Sequence, residues 1–180
     1  MYFVGLGRLT KMLVRRLFLN GLMAIWVVAC VSVKAGHADP ADVLLTLVQP
    51  QPENDGVIQS RITRQSLLAL PQAGFETTTI WTKGVQKFEG VWLYDVLESY
   101  NATGGMLELE AINDYLVEIP LSEIEKGRAL LAHTRNGKPM SAREKGPVWL
   151  VYNYDSDPAF RTETVYSRSV WQLDRITISR

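Results

Sequence analysis

Trp81 follows a run of three threonines, Thr77, Thr78 and Thr79, and is the best candidate for the wall of a pocket, since an indole pairs a large apolar face with one N–H donor. Trp92, Trp149 and Trp171 adjoin apolar runs, so packing explains them. Asn113-Asp114-Tyr115 lies between two apolar stretches. Asn and Asp close tight turns by bonding nearby backbone, and the same side chains can form a polar rim around a ligand. Arg143 and Lys145 flank Glu144 just before Gly146-Pro147. Two cations on a loop suit an anion or simply a solvated surface. His133 closes an apolar run with no carboxylate nearby in sequence, which is thin support for acid–base catalysis. Asp155-Ser156-Asp157-Pro158 lacks the glycine and distant glutamate of a calcium loop and reads as a turn. No residue earns a catalytic or metal-binding assignment, and the chain has no GxSxG elbow, phosphate-cradling glycine loop or HExxH.

The N-terminus decides which residues belong to the mature protein. Lys11, Arg15 and Arg16 precede an apolar stretch from Leu17 to Val33, and Gly36 and Ala38 bracket His37. A basic region, an apolar region and a small-x-small site make a secretory signal, so residues 1–38 read as a signal peptide and 39–180 as the mature domain. That placement is exported or periplasmic, with no membrane span after cleavage. An uncleaved anchor is the alternative for so short an apolar stretch. Arg15-Arg16 resembles a twin-arginine export pair. Val27-Val28-Ala29-Cys30 resembles a lipobox, which would make Cys30 the lipidated first residue of a lipoprotein.

Cys30 is the only cysteine, so cleavage after Ala38 leaves no thiol. Disulfides, Cys-type zinc sites and a cysteine nucleophile are then excluded. All 19 acidic residues follow Ala38, whereas Arg8, Lys11, Arg15, Arg16 and Lys34 precede it. The mature chain therefore carries a net charge of −5, and without a basic stripe it does not suit nucleic acid.

The elements expected to hold these residues alternate between strand and short helix. Strands are expected at Val43–Val48, Phe75–Thr82, Met106–Ile112, Tyr115–Ile119, Arg128–His133, Val148–Tyr152 and Leu173–Ile178. Gln49 to Asp55 reads as a loop, and Asn136-Gly137 as a turn. Thr63 is placed to cap a helix carrying Leu67, Leu68 and Leu70, which Pro71 stops. Gly90 precedes a helix holding Val91, Leu93, Val96 and Leu97, and Ser122 with Glu125 has capping-box spacing. The expected class is a single α+β domain.

Four segments, in order, resemble the sulfite-oxidase-type molybdopterin-binding domain family. They are Phe88-Glu89-Gly90-Val91-Trp92-Leu93-Tyr94-Asp95-Val96-Leu97; Ala111-Ile112-Asn113-Asp114-Tyr115 through Pro120; Leu130-Leu131-Ala132 through Asn136-Gly137 to Gly146-Pro147-Val148-Trp149-Leu150; and Ser169-Val170-Trp171-Gln172-Leu173 with Ile176. The resemblance spans residues 43 to 178 and implies a sulfite-oxidase-like fold with mixed sheets, short helices and a pterin-sized groove. It also implies that an enzyme of the family would hold molybdenum through a cysteine about a dozen residues before Gly90, where this chain has only Thr77 to Thr79. Asn113-Asp114-Tyr115 stands where the family has Asp-Gly-Tyr. The resemblance leaves two readings. One is a non-catalytic exported domain that binds a small anionic or pterin-like ligand, or a membrane signalling protein, with no cofactor expected. The other is a molybdopterin-dependent oxidoreductase with non-cysteine contacts. The candidate ligand residues are Thr77, Thr78, Thr79, Trp81, Asn113, Asp114, Tyr115, Arg143 and Lys145.

Overall fold

The structure, a computed structural model, describes residues 42–51 and 55–179. The expected signal peptide, with Cys30, lies outside the described residues. In chain order the elements are β1 (Val43–Pro50), β2 (Val57–Thr63), α1 (Arg64–Leu68), β3 (Ala73–Thr77), β4 (Gln86–Trp92) and α2 (Leu93–Ser99). After these come β5 (Met106–Ala111), β6 (Leu116–Pro120), β7 (Ala129–Arg135), β8 (Lys138–Pro139), β9 (Trp149–Tyr152), α3 (Glu163–Ser167) and β10 (Leu173–Ser179). The class is α+β, mostly strand. Among the described residues, no helix is long and apolar enough to cross a membrane.

The strands form two sheets. One runs β2-β1-β10-β5-β6, and in it the first and last strands lie side by side and parallel, with Leu47 opposite Ile176. The other runs β3-β4-β7, and β9 and β8 share the far edge of β7 end to end. Side-chain alternation explains the burial. On β5, Leu107, Leu109 and Ala111 are buried while Glu108 and Glu110 are half-exposed. On β7 both faces are covered, so the run is continuously apolar. Ala129 and Leu131 join the main core with Leu45, Leu47, Leu109, Val96 and Ile176. Leu130 and Ala132 join a second cluster with Phe88, Met140, Trp149 and Val151.

Local chemistry sets several boundaries. Thr63 caps α1 as expected: its hydroxyl accepts from the Ser66 N–H and the Ser66 hydroxyl accepts from the Thr63 N–H. Asn136 and Gly137 both take positive φ, 53° and 73°, which suits the two-residue β7–β8 hairpin. Other boundaries differ from expectation. β3 ends at Thr77 rather than Thr82, because the Asp155 carboxylate captures the next backbone N–H. Val91 lies on β4, and α2 begins only at Leu93. The pairing of β4 with β7 shifts register between Glu89 and Gly90, and a Cβ on Gly90 would collide with the Leu131 carbonyl oxygen. Glycine is what allows the two backbones to approach there. Ser122 starts no helix; a 3-10 turn covers Leu121–Glu123, and Glu125 instead pairs with Arg128 at 3.2 Å. β1 continues through Gln49 and Pro50 to pair with β2.

Candidate functional site

Three segments converge on a cavity of about 570 Å³. Ile80 and Trp81 come from the turn after β3; Ala111, Asn113 and Tyr115 come from the end of β5 and the turn into β6. The third wall is α3 with the residues after it: Glu163, Tyr166, Ser167, Ser169, Val170 and Trp171. Among the described residues, no lysine or arginine lines the cavity, and Glu163 is its only charged side chain.

Trp81 sits at the centre of an aromatic cluster. Its ring centroid lies 5.6 Å from Trp171, 5.8 Å from Tyr166 and Trp149, and 6.1 Å from Tyr154, all edge to face. That arrangement aligns ring edges with the electron-rich faces of their neighbours. Beneath it, Tyr154 is buried, and loss of hydration pushes its phenol well above the ordinary range. The phenol therefore stays neutral and donates to the Ser169 hydroxyl at 2.7 Å, which in turn donates to the Val165 carbonyl at 2.7 Å. These bonds fix the chain after α3. Across the mouth, the Tyr115 hydroxyl donates to the Ser167 carbonyl at 2.9 Å, strapping the β5–β6 turn to α3.

Asn113-Asp114-Tyr115 forms the tight turn expected of it, and two of its residues reach the cavity. Asp114 has φ of 63° and its N–H donates to the Ala111 carbonyl at 3.0 Å, closing a tight turn. That turn carries Asn113 and Tyr115 to the cavity, while Asp114 is not part of its lining.

The three threonines do not reach the aromatic cavity. Thr77 is fully buried; its hydroxyl donates to the Thr78 carbonyl at 3.2 Å and accepts from the Asp155 N–H at 3.1 Å. The Thr78 N–H and hydroxyl both donate to the Asp155 carboxylate, at 2.5 and 2.8 Å. Those two bonds, with Arg161 at 2.8 Å on the same carboxylate, hold Asp155 below its usual pKa. Thr79 and Thr82 share a hydroxyl–hydroxyl bond of 2.7 Å, and the Thr79 hydroxyl also accepts from the Trp81 N–H. The run is thus a hydrogen-bonded brace that sets the position of Trp81. A cysteine-held molybdenum does not fit it: the position offers neutral hydroxyls, already committed, in place of a soft thiolate.

Arg143 and Lys145 also lie outside the cavity. Arg143 is exposed on the 3-10 turn Ala142–Glu144. Lys145, at φ of 76°, lays its ammonium 4.0 Å from the centroid of Trp171 and 5.5 Å from that of Trp149. Burial, and then the nearby Arg135, lower its pKa. His133 is buried at the far end of β7, in contact with Gln72 and Thr134.

α3 escaped the reading of the sequence, and Ser169 and Val170 entered it only as part of a resembling segment, not as site residues. Thr162 at the head of Glu163-Thr164-Val165-Tyr166 carried the signal, since its hydroxyl caps the helix at the Val165 N–H. A five-residue helix offers too little periodicity to be seen otherwise.

No protein-family model matches the chain, and no curated protein matches it.

Proposed function

We propose that the chain is an exported, non-catalytic domain of sulfite-oxidase-like fold that holds a small organic ligand between Trp81, Tyr115, Tyr166 and Trp171 and serves as a ligand-sensing partner in the cell envelope. The carrying observation is the cavity itself: about 570 Å³, walled by aromatic and apolar side chains, with a few polar groups at fixed positions. That is the composition of a small-molecule site. Exposed apolar residues surround its mouth, with Ile80 63% and Tyr115 45% accessible. Exposed apolar surface of this kind marks binding regions. The order of the resembling segments supports the fold, with Gly90 at the strand-to-helix step and Trp171 in the closing segment. The hydroxyl brace at Thr77 to Thr79 supports a role without the family's metal thiolate.

The reading is tested on full-length protein purified from the cells that make it. Elemental analysis and mass spectrometry of the denatured extract should give substoichiometric molybdenum and a released small organic molecule. One molybdenum per chain together with a pterin would overturn it.

A further inference from the structure

The residues that line the cavity restrict the charge of what it can hold. We infer that the cavity selects a small ligand bearing an ammonium group, quaternary or tertiary, held by aromatic faces and the Glu163 carboxylate; this assignment rests on the ligand-binding reading of the same cavity. Three observations converge on it.

First, the cavity walls include four aromatic side chains, Trp81, Tyr115, Tyr166 and Trp171, drawn from three separate segments. Aromatic rings carry negative charge on their faces and attract a poorly hydrated cation, most strongly when water is excluded. Second, the electrostatics suit a cation. Glu163 is the only charged residue in the lining among the described residues. The two arginines flanking the region are already engaged, Arg161 with Asp155 at 2.8 Å and Arg168 with Glu123 at 2.7 Å. Neither leaves an unpaired positive charge beside the cavity, and Lys145, the other cation against the cluster, lies outside the lining on the Trp171 ring, where it opposes the Glu163 charge. Third, the same cluster already receives an ammonium from its own chain, since Lys145 sits 4.0 Å from the Trp171 centroid. A phosphate or carboxylate ligand, by contrast, would meet Glu163 and no basic side chain.

The test uses a matched pair of probes, choline and its neutral isostere 3,3-dimethylbutan-1-ol, titrated into the full chain by calorimetry and by tryptophan emission. The two differ in charge and hardly in shape. Choline should bind with an affinity about tenfold higher than the alcohol. Glu163→Gln, a change on an exposed residue that leaves the aromatic cluster intact, should lower choline affinity several-fold and leave the alcohol unaffected. Trp81→Phe, which keeps an aromatic ring, should weaken both. Equal binding of choline and the alcohol would overturn the ammonium assignment while leaving the cavity as a ligand site. Failure of both probes to bind would also overturn it, and the ligand-binding reading would then be decided separately by whether a small molecule is released from the native protein.

Discussion

His133 shows how a single side chain acquires a fixed protonation state. The Gln72 amide nitrogen donates to the carbonyls of Leu67 and Leu70, both at 2.8 Å, so its oxygen is left to accept from His133 Nε2 at 3.1 Å. Nδ1 can then accept from the Thr134 hydroxyl at 2.9 Å, which is the pattern of a neutral imidazole. Burial, and then Arg64, lower its pKa, and Glu89 opposes them. The unfolded chain therefore binds a proton at a higher pH than the folded one, so this contribution to stability is complete above about pH 6.5 and fades as pH falls through that value toward the lowered folded pKa. Melting temperature should fall between about pH 7 and pH 5, and His133→Gln should flatten that fall. An identical slope in wild type and variant would show that His133 plays no part. At the same scale, Asp155 explains why the three threonines lie outside the aromatic cavity. They were named because they stand where the resembling family keeps its metal cysteine, and a carboxylate 77 residues away from Thr78 ties that residue into a brace. A contact over that separation has no local trace in the sequence.

Among the elements, those that announce themselves by alternation or capping were legible. The alternation of Met106–Ala111 predicted its buried face, and Thr63 predicted the start of α1. β2 was not legible, because along Val57–Thr63 only Ile62 is buried and the strand is held by pairing with β1. Short edge strands of this kind depend on a partner rather than on their own pattern. The boundary between β4 and α2 was misplaced by two residues, since Val91 and Trp92 belong to the strand. The cause is Gly90, which marks a register shift and a close backbone approach rather than the entrance to a helix. Gly90→Ala should therefore destabilise the domain by about 3 kcal/mol through a collision with the backbone of β7. Denaturant unfolding measures this directly; a loss under about 0.5 kcal/mol, typical of an innocuous surface change, would show that β4 and β7 have room to separate.

For the whole molecule, the cavity depends on segments far apart in the chain. Trp81 was anticipated as a pocket wall, and Asn113 and Tyr115 as a rim, because their residue types and turn position are local properties. Tyr166, Ser169 and Trp171 join them through long-range contacts: the bonds of Tyr154 and Ser169, the Tyr115–Ser167 bond and the edge-to-face rings around Trp81. Arg143 and Lys145 read as an anion site or a solvated surface loop; Lys145 is turned onto Trp171 and Arg143 stands apart from the cavity. The charge of a site is set by what the fold brings to its walls, and here the lining is aromatic with one carboxylate. The most direct test of a ligand site at these walls is crystallographic: crystals of the protein soaked with a library of small aromatic and ammonium fragments. Ordered fragments should cluster between Trp81, Tyr115, Tyr166 and Trp171. Fragments ordered only elsewhere, such as the smaller cleft at Arg135 and Lys138, would contradict the assignment.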